Sequence, residues 1–143
     1  MASKLSSRLL AIVDALPLKP GMRVIEIGCG PGAAAREVAR RIGNGQILAI
    51  DRSARAIAQA EAASRDEIAA GRLRLRRVAA EDFVLAPGEA PYDLAFAVRV
   101  GALDGRYPEA GEHVQRRIAA ALKPGGRLFV DGGDPLREVE LRG

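Results

Sequence analysis

Val24-Ile25-Glu26-Ile27-Gly28-Cys29-Gly30-Pro31-Gly32 decides how the rest of the chain is read. Val24 to Ile27 is a short apolar, β-branched run, the pattern of a buried strand, and glycines follow at every second position. Ala34, Ala35, Val38 and Ile42 then recur at helical spacing. A strand, a glycine turn and a helix start make a ligand cradle. Glycines let the backbone come close to a ligand, and a helix N-terminus adds partial positive charge. Gly28, Gly30 and Ala33 also satisfy the G-x-G-x-x-G/A dinucleotide fingerprint, so the pattern alone admits more than one nucleotide-type cofactor.

Outward from this stretch, strands and helices alternate. Leu5, Leu9, Ile12, Val13 and Leu16 predict an amphipathic helix from about Ser3 to Leu16, ended by Pro17 and Pro20-Gly21. Gly43-Asn44-Gly45 stops the helix after the glycine turn, and Gln46 to Ile50 reads as a second strand with Asp51 at its end. Ser53 is an N-cap for a helix carrying Ile57, Ala58 and Ile68. Ser64-Arg65-Asp66-Glu67 has capping-box spacing, which predicts a break and restart there. Arg72-Leu73-Arg74-Leu75-Arg76 alternates as a strand with one wet face, fitting either an edge-protecting charge row or an arginine binding site. Tyr92 to Val98 is a fourth strand, and Val114, Ile118, Ala121 and Leu122 mark a helix beginning near Pro108. Lys123-Pro124-Gly125-Gly126 reads as a turn before a fifth strand, Arg127 to Val130. The alternation predicts an α/β fold, a doubly wound, mainly parallel sheet with helices on both faces.

The 143 residues suit a single domain, 1–143, with 48% hydrophobic and 28% charged residues. No apolar run approaches the roughly 18 residues of a membrane span. The N-terminus lacks a signal-peptide pattern, and the default expectation is a cytoplasmic protein. One cysteine predicts neither an intrachain disulfide nor a cysteine-based zinc site, and no metal is expected. The net charge of +4 raises the question of nucleic acid, but arginines supply 19 of the 22 basic residues and are scattered along the chain. With 3% aromatic residues there are few platforms for stacking bases, so a nucleic-acid partner is not favoured.

Four landmarks in order resemble the class I S-adenosylmethionine-dependent methyltransferase family. They are the glycine stretch already quoted, Ile50-Asp51, Tyr92-Asp93-Leu94-Ala95-Phe96, and Leu122-Lys123-Pro124-Gly125-Gly126-Arg127-Leu128. The resemblance covers roughly residues 20–131. It implies a Rossmann-like sheet of order 3-2-1-4-5 with S-adenosylmethionine, and its product S-adenosylhomocysteine, at the carboxyl ends of strands one, two and four. The cofactor positions it implies are Glu26, Gly28, Cys29, Gly30, Asp51, Arg52, Ala80, Glu81 and Ala97. Glu26 would favour a cofactor carrying a sulfonium and an ammonium over a pyrophosphate. Asp51 would accept from the ribose hydroxyls, a role it would also play for NAD. Cys29 reads as a small, tolerated loop residue because no base is evident beside it. Arg52 suits a 2′-phosphate if the ligand were NADP, and otherwise a solvated or adenine-packing side chain.

Two features depart from the family pattern. The acid usually found after strand three falls on Ala79, leaving Glu81, Asp82 or the Ala80 N–H to serve the adenine. Only Gly132 to Gly143 follow strand five, so the usual C-terminal antiparallel strand pair is expected to be shortened or absent. Glu138 to Arg142 would supply one short strand at most, and a bare strand five predicts a homodimer or a tail folded over that edge. Candidates for work on the methyl acceptor follow strand four: Arg99, Asp104, Arg106, Tyr107, Glu109 and His113. Arg99 suits an acidic substrate or an ordinary salt bridge, Tyr107 a pocket wall or simple packing, and His113 a base or a surface helix position. The segment lacks the Asn/Asp-Pro-Pro-aromatic signature of base-amino methylation, which favours a small-molecule acceptor. The alternatives are a non-catalytic or partner-dependent S-adenosylmethionine-binding module and an NAD-type domain.

Overall fold

A computed structural model describes residues 5–103 and 108–141. The chain forms α1 (Ser7–Ala15), β1 (Arg23–Ile27), α2 (Ala33–Arg41), β2 (Gln46–Asp51), α3 (Ala54–Ala63), α4 (Arg65–Ala69), β3 (Leu73–Arg77), β4 (Tyr92–Ala97), α5 (Pro108–Ala121), β5 (Leu122–Asp131) and β6 (Leu136–Val139). The six strands make one sheet of order β3-β2-β1-β4-β5-β6, parallel throughout save for the antiparallel β5–β6 pair. Alternate strand residues face opposite layers. Val24, Ile47, Leu94 and Phe96 pack with Val13 of α1 and Val38 of α2. Ile25, Ile27, Leu48, Ile50, Ala95 and Leu128 pack with Val114 and Ile118 of α5 and with Phe83. Among the described residues no helix is long and apolar enough to cross a membrane.

Several boundaries move from their sequence positions for local reasons. The first helix starts at Ser7 because Ser6 caps it, its side chain accepting from the Leu9 N–H at 3.1 Å; Ser3 lies outside the described residues. The helix after Ser53 does break at Ser64, but the capping box is not made. Ser64 is fully buried, and its hydroxyl accepts from the Arg36 guanidinium at 3.1 Å instead of capping α4. The Lys123–Gly126 turn is carried within β5 as an outward excursion, for Leu122 pairs with Tyr92 while Arg127 already pairs with Leu94. Asp93 sits opposite that excursion and holds it with a 3.0 Å ion pair to Lys123, while accepting from the Arg23 N–H at 2.8 Å.

The expectation of a shortened or absent antiparallel strand pair is corrected. Gly132 to Pro135 turn the chain back, and β6 pairs with β5 from Asp131↔Leu136 to Leu128↔Val139. The turn places the strand at Leu136–Val139 rather than Glu138–Arg142, and Arg142 lies outside the described residues. Val139 joins the core on the α5 face, and Arg127 pairs with Glu138 at 2.7 Å across the hairpin. The tail thus covers the edge that a bare β5 would present.

The arginine row of β3 is also only partly wet. β3 is an edge strand and Arg74 is exposed, but Arg76 makes a bidentate pair with Glu89 at 3.1 and 3.0 Å. Glu89 also accepts from the Tyr92 hydroxyl at 2.6 Å and the Ala86 N–H at 2.7 Å. Burial alone would raise its pKa, yet Arg76, Tyr92 and the Ala86 N–H outweigh it and hold the carboxyl at about 2. Removing one partner of such a pair leaves an uncompensated charge. Glu89→Ala is therefore expected to cost about 2–3 kcal/mol in urea denaturation at pH 7. The stabilisation from this carboxylate is full above its ordinary pKa of 4.5 and is lost as pH falls toward 2, so the gap between parent and variant should close in acid. A gap that persisted at pH 2 would mean the effect is packing, not charge.

Candidate functional site

The carboxyl ends of the strands open into a cleft of about 410 Å³. It is lined by Ile27, Gly28, Ile50, Asp51, Arg52, Val78, Ala80, Glu81, Arg99, Val100 and Gly101. Its position follows from the topology. The sheet grows outward in both directions from β1 and its neighbour β4, and loops that diverge from such a point leave a crevice.

The glycine loop is fixed by β2. The N–H groups of Gly28 and Cys29 both donate to the Ile50 carbonyl at 2.9 Å, and the Gly30 N–H donates to Asp51 Oδ2 at 2.9 Å. Asp51 Oδ1 takes the Ser53 N–H at 2.9 Å, so each of its oxygens already holds one backbone donor. Gly28 has φ +72, and a Cβ there would stand 2.9 Å from Val100 Cγ2. Gly30 has φ +54 but no atom within 4 Å of a Cβ, which leaves open space above the loop. From the other side Arg36, itself buried, donates to the Pro31 carbonyl at 2.8 Å and to Ser64, tying the loop to the α3–α4 break.

Glu26 lies beneath this loop, on the α2 face of the sheet between Ala49 and Phe96. It is 3% exposed, and its Oε1 has no hydrogen-bond partner. Burial and then the neighbouring charge of Asp51 raise its pKa to about 8, against a lowering influence from Arg36. The carboxyl is thus mostly neutral at pH 7 when no ligand is bound. This revises the charge argument made from sequence, because a neutral acid neither repels phosphate nor attracts a cation. In the loop itself the N–H groups of Gly28, Cys29 and Gly30 are spent on Ile50 and Asp51, while the first turn of α2 has no side-chain cap. Cys29 is buried beside Glu26, and burial followed by the charges of Glu26 and Asp51 pushes its thiol far up, out of nucleophilic range.

Of the residues singled out in the sequence, Gly28, Asp51, Arg52, Ala80, Glu81 and Arg99 line the cleft. Glu26 and Cys29 are under the loop, Gly30 is held by Asp51, and Ala97 is buried at the end of β4. Ala80 and Glu81 belong to a 3-10 turn, Ala80–Asp82. His113 does not face the cleft. Its Nε2 stands 3.0 Å from the Glu81 carbonyl, which can only accept, so this nitrogen is the protonated one. Arg117 Nε donates to the same carbonyl at 3.2 Å. Glu109 is exposed on the first turn of α5, while Asp104, Arg106 and Tyr107 lie outside the described residues. Sequence reading missed two residues: Ile50, whose backbone carbonyl carries no side-chain signal, and Asp131. Asp131 ends β5 as Asp51 ends β2, and an acid at a strand's carboxyl end was the available clue.

A family model described as "Methyltransferase domain" matches residues 24–126. A protein-L-isoaspartate O-methyltransferase of Methylorubrum extorquens is 37% identical over 131 residues, covering 92% of this chain and 50% of the relative. A trans-aconitate 2-methyltransferase of Delftia acidovorans is 32% identical, covering 89% and 44%. The chain therefore spans about half the length of the curated relatives it matches. A methyltransferase of Geobacter sulfurreducens, crystallised with S-adenosylhomocysteine, superposes with TM-score 0.67 at 24% identity over 91% of this chain and 49% of its own, and so shares the fold.

The state of Glu26 is directly measurable. Its neutral form favours folding, a contribution complete below pH 4.5 and lost as pH rises through about 8. Glu26→Gln removes that loss. The ligand-free variant should gain stability over the parent as pH rises from 5 to 8.5, by a few kcal/mol at the upper end. Parallel pH profiles for the two proteins would show that Glu26 is ionised throughout.

Proposed function

The chain belongs to the class I S-adenosylmethionine-dependent methyltransferase family, and from that premise we propose that it is an S-adenosylmethionine-dependent methyltransferase acting on a small-molecule acceptor. The observation that carries this reading is the pairing of the latched glycine loop with the orphaned Glu26 Oε1 below it. The N–H groups of Gly28, Cys29 and Gly30 are engaged within the protein rather than offered to a phosphate. The buried carboxyl, by contrast, gains from any cation held above it, because a nearby positive charge favours its ionised form. The donor set therefore fits a cofactor whose reactive end is cationic. When bound, S-adenosylmethionine supplies a methyl carbon activated by a sulfonium.

The chain's own residues divide the binding work. Asp51 uses one acceptor site on Oδ2 for the loop and one on Oδ1 for the Ser53 N–H, and keeps others for ribose hydroxyls, since a carboxylate has about four. Ala80 and Glu81 form the wall where the resemblance places the adenine, and Ala79 contributes no acid there. His113 and Arg117 hold that wall through the Glu81 carbonyl. Gly28 keeps the floor low under Val100. In-line methyl transfer depends mostly on such positioning, and a base is needed only when the acceptor must lose a proton.

Ligand-induced shifts in melting temperature test the cofactor, because a ligand that binds only the folded state raises it. S-adenosylmethionine and S-adenosylhomocysteine should stabilise the protein, and NAD at matched concentration should not. Asp51→Ala should weaken S-adenosylhomocysteine binding about 10- to 100-fold through loss of charge-assisted hydrogen bonds, with the fold retained. Stabilisation by NAD alone would sink the methyltransferase reading.

A further inference from the structure

We propose that Arg99 forms an anion site at the lip of the cleft, and that the methyl acceptor is a carboxylate methylated on oxygen. This rests on the methyltransferase reading above. Arg99 lies two residues past the end of β4 and lines the cleft. It is the one non-glycine residue with positive φ among the described residues, at +58. Strain of this kind persists only where the surroundings impose it, and it gathers at functional sites. The imposing group here is Asp131, whose Oδ1 accepts the Arg99 N–H at 3.0 Å.

The same contact leaves the Arg99 guanidinium available. Asp131 spends its charge on Arg8, through a 2.7 Å ion pair from Oδ2. Asp131 touches Arg99 through the backbone alone, and among the described residues the Arg99 guanidinium has no carboxylate partner. Among the described residues the salt-bridge alternative is not realised, and Arg99 is exposed at the cleft lining. A guanidinium fork matches a carboxylate in charge and shape.

A second, independent observation concerns bases. Among the described residues the cleft lining includes no histidine, lysine, cysteine or tyrosine. Its titratable acids are Asp51, whose oxygens each hold a backbone donor, and Glu81. A carboxylate acceptor needs no base, since it is already ionised near neutral pH. Its oxygen lone pair attacks the methyl carbon, a C–O bond forms, the C–S bond breaks, and the electron pair stays on sulfur to leave a neutral thioether. No proton moves. The two relatives' names agree in chemistry, for isoaspartate and trans-aconitate both carry carboxylates.

The carboxylate on Arg99 has two possible sources, the acceptor or the amino-acid end of the cofactor, and titration calorimetry separates them. S-adenosylhomocysteine is titrated into the parent and into Arg99→Gln, Arg99→Lys and Arg99→Gly; the last suits the backbone at +58 and guards against misfolding. Each protein, saturated with S-adenosylhomocysteine, is then titrated with trans-aconitate and with succinate. The expected result is cofactor-product affinity within about threefold across the set. At least one polycarboxylate should bind the parent, bind at least tenfold more weakly to the Gln and Gly variants, and recover partly in the Lys variant. Methyl transfer from labelled S-adenosylmethionine should yield an ester that releases methanol in mild alkali. A tenfold loss of S-adenosylhomocysteine affinity in the Gln and Gly variants would assign Arg99 to the cofactor and overturn the proposal. Failure of both polycarboxylates to bind the saturated parent would overturn it while leaving the methyltransferase reading intact. Failure of S-adenosylhomocysteine to bind the parent would remove both.

Discussion

The end of β2 governs the site. The Ile50 carbonyl takes two N–H groups of the glycine loop, and the Asp51 carboxylate takes a third. The Val78 N–H, just after β3, donates to the Asp51 carbonyl at 3.0 Å, so loops from both neighbouring strands are pinned to this one terminus. A loop held this way needs residues that tolerate positive φ and, at Gly28, a residue without a side chain under Val100. The spacing of glycines in the sequence is the consequence of that latch. So is the engagement of three loop N–H groups, since donors used within the protein are not available to a ligand.

Asp51 has a second effect at longer range. Its charge, added to complete burial, holds the Glu26 carboxyl in its neutral form near pH 7. An acid in the first strand looks, on sequence alone, like a fixed negative charge. In the folded chain it is a charge held back near neutral pH, which a nearby cation would favour. Stability is sacrificed for that poise, since a buried acceptor without a partner is unfavourable. The site is therefore less complete alone than with a cationic ligand, and this is the physical content of its preference.

The sheet order was legible only through the family resemblance. The alternation of elements was legible because it follows from short-range signals: period-two apolar runs, helical spacing, and glycine or proline at the joints. The Ser53 cap was legible for the same reason, and its hydroxyl does accept from the Ala56 N–H at 3.1 Å. What escaped depends on partners distant in sequence. Ser64 has the local pattern of a capping box, but Arg36, 28 residues away, claims its hydroxyl. Arg76 belongs to an alternating charge row, yet Glu89 draws it into a half-buried cluster. β6 has little strand pattern of its own and forms because β5 offers a ladder and the α5-side core takes Val139. Asp104, Arg106 and Tyr107 were legible as candidates but lie outside the described residues.

The arrangement around Arg99 repeats the logic of the glycine loop on the other side of the sheet. Asp51 ends β2 and captures a backbone N–H from the loop that leaves its neighbour β1. Asp131 ends β5 and captures a backbone N–H from the segment that leaves its neighbour β4. In both cases a carboxylate at a strand terminus fixes an adjacent backbone in the left-handed region. The residues differ in what they leave behind: Gly30 leaves empty space, and Arg99 leaves a charged fork. One latch makes room for a ligand and the other presents a group that can hold one. Because β1 and β4 are neighbours in the sheet, the two latches flank a single cleft, and the fold brings Gly28, Asp51 and Arg99 to the same opening.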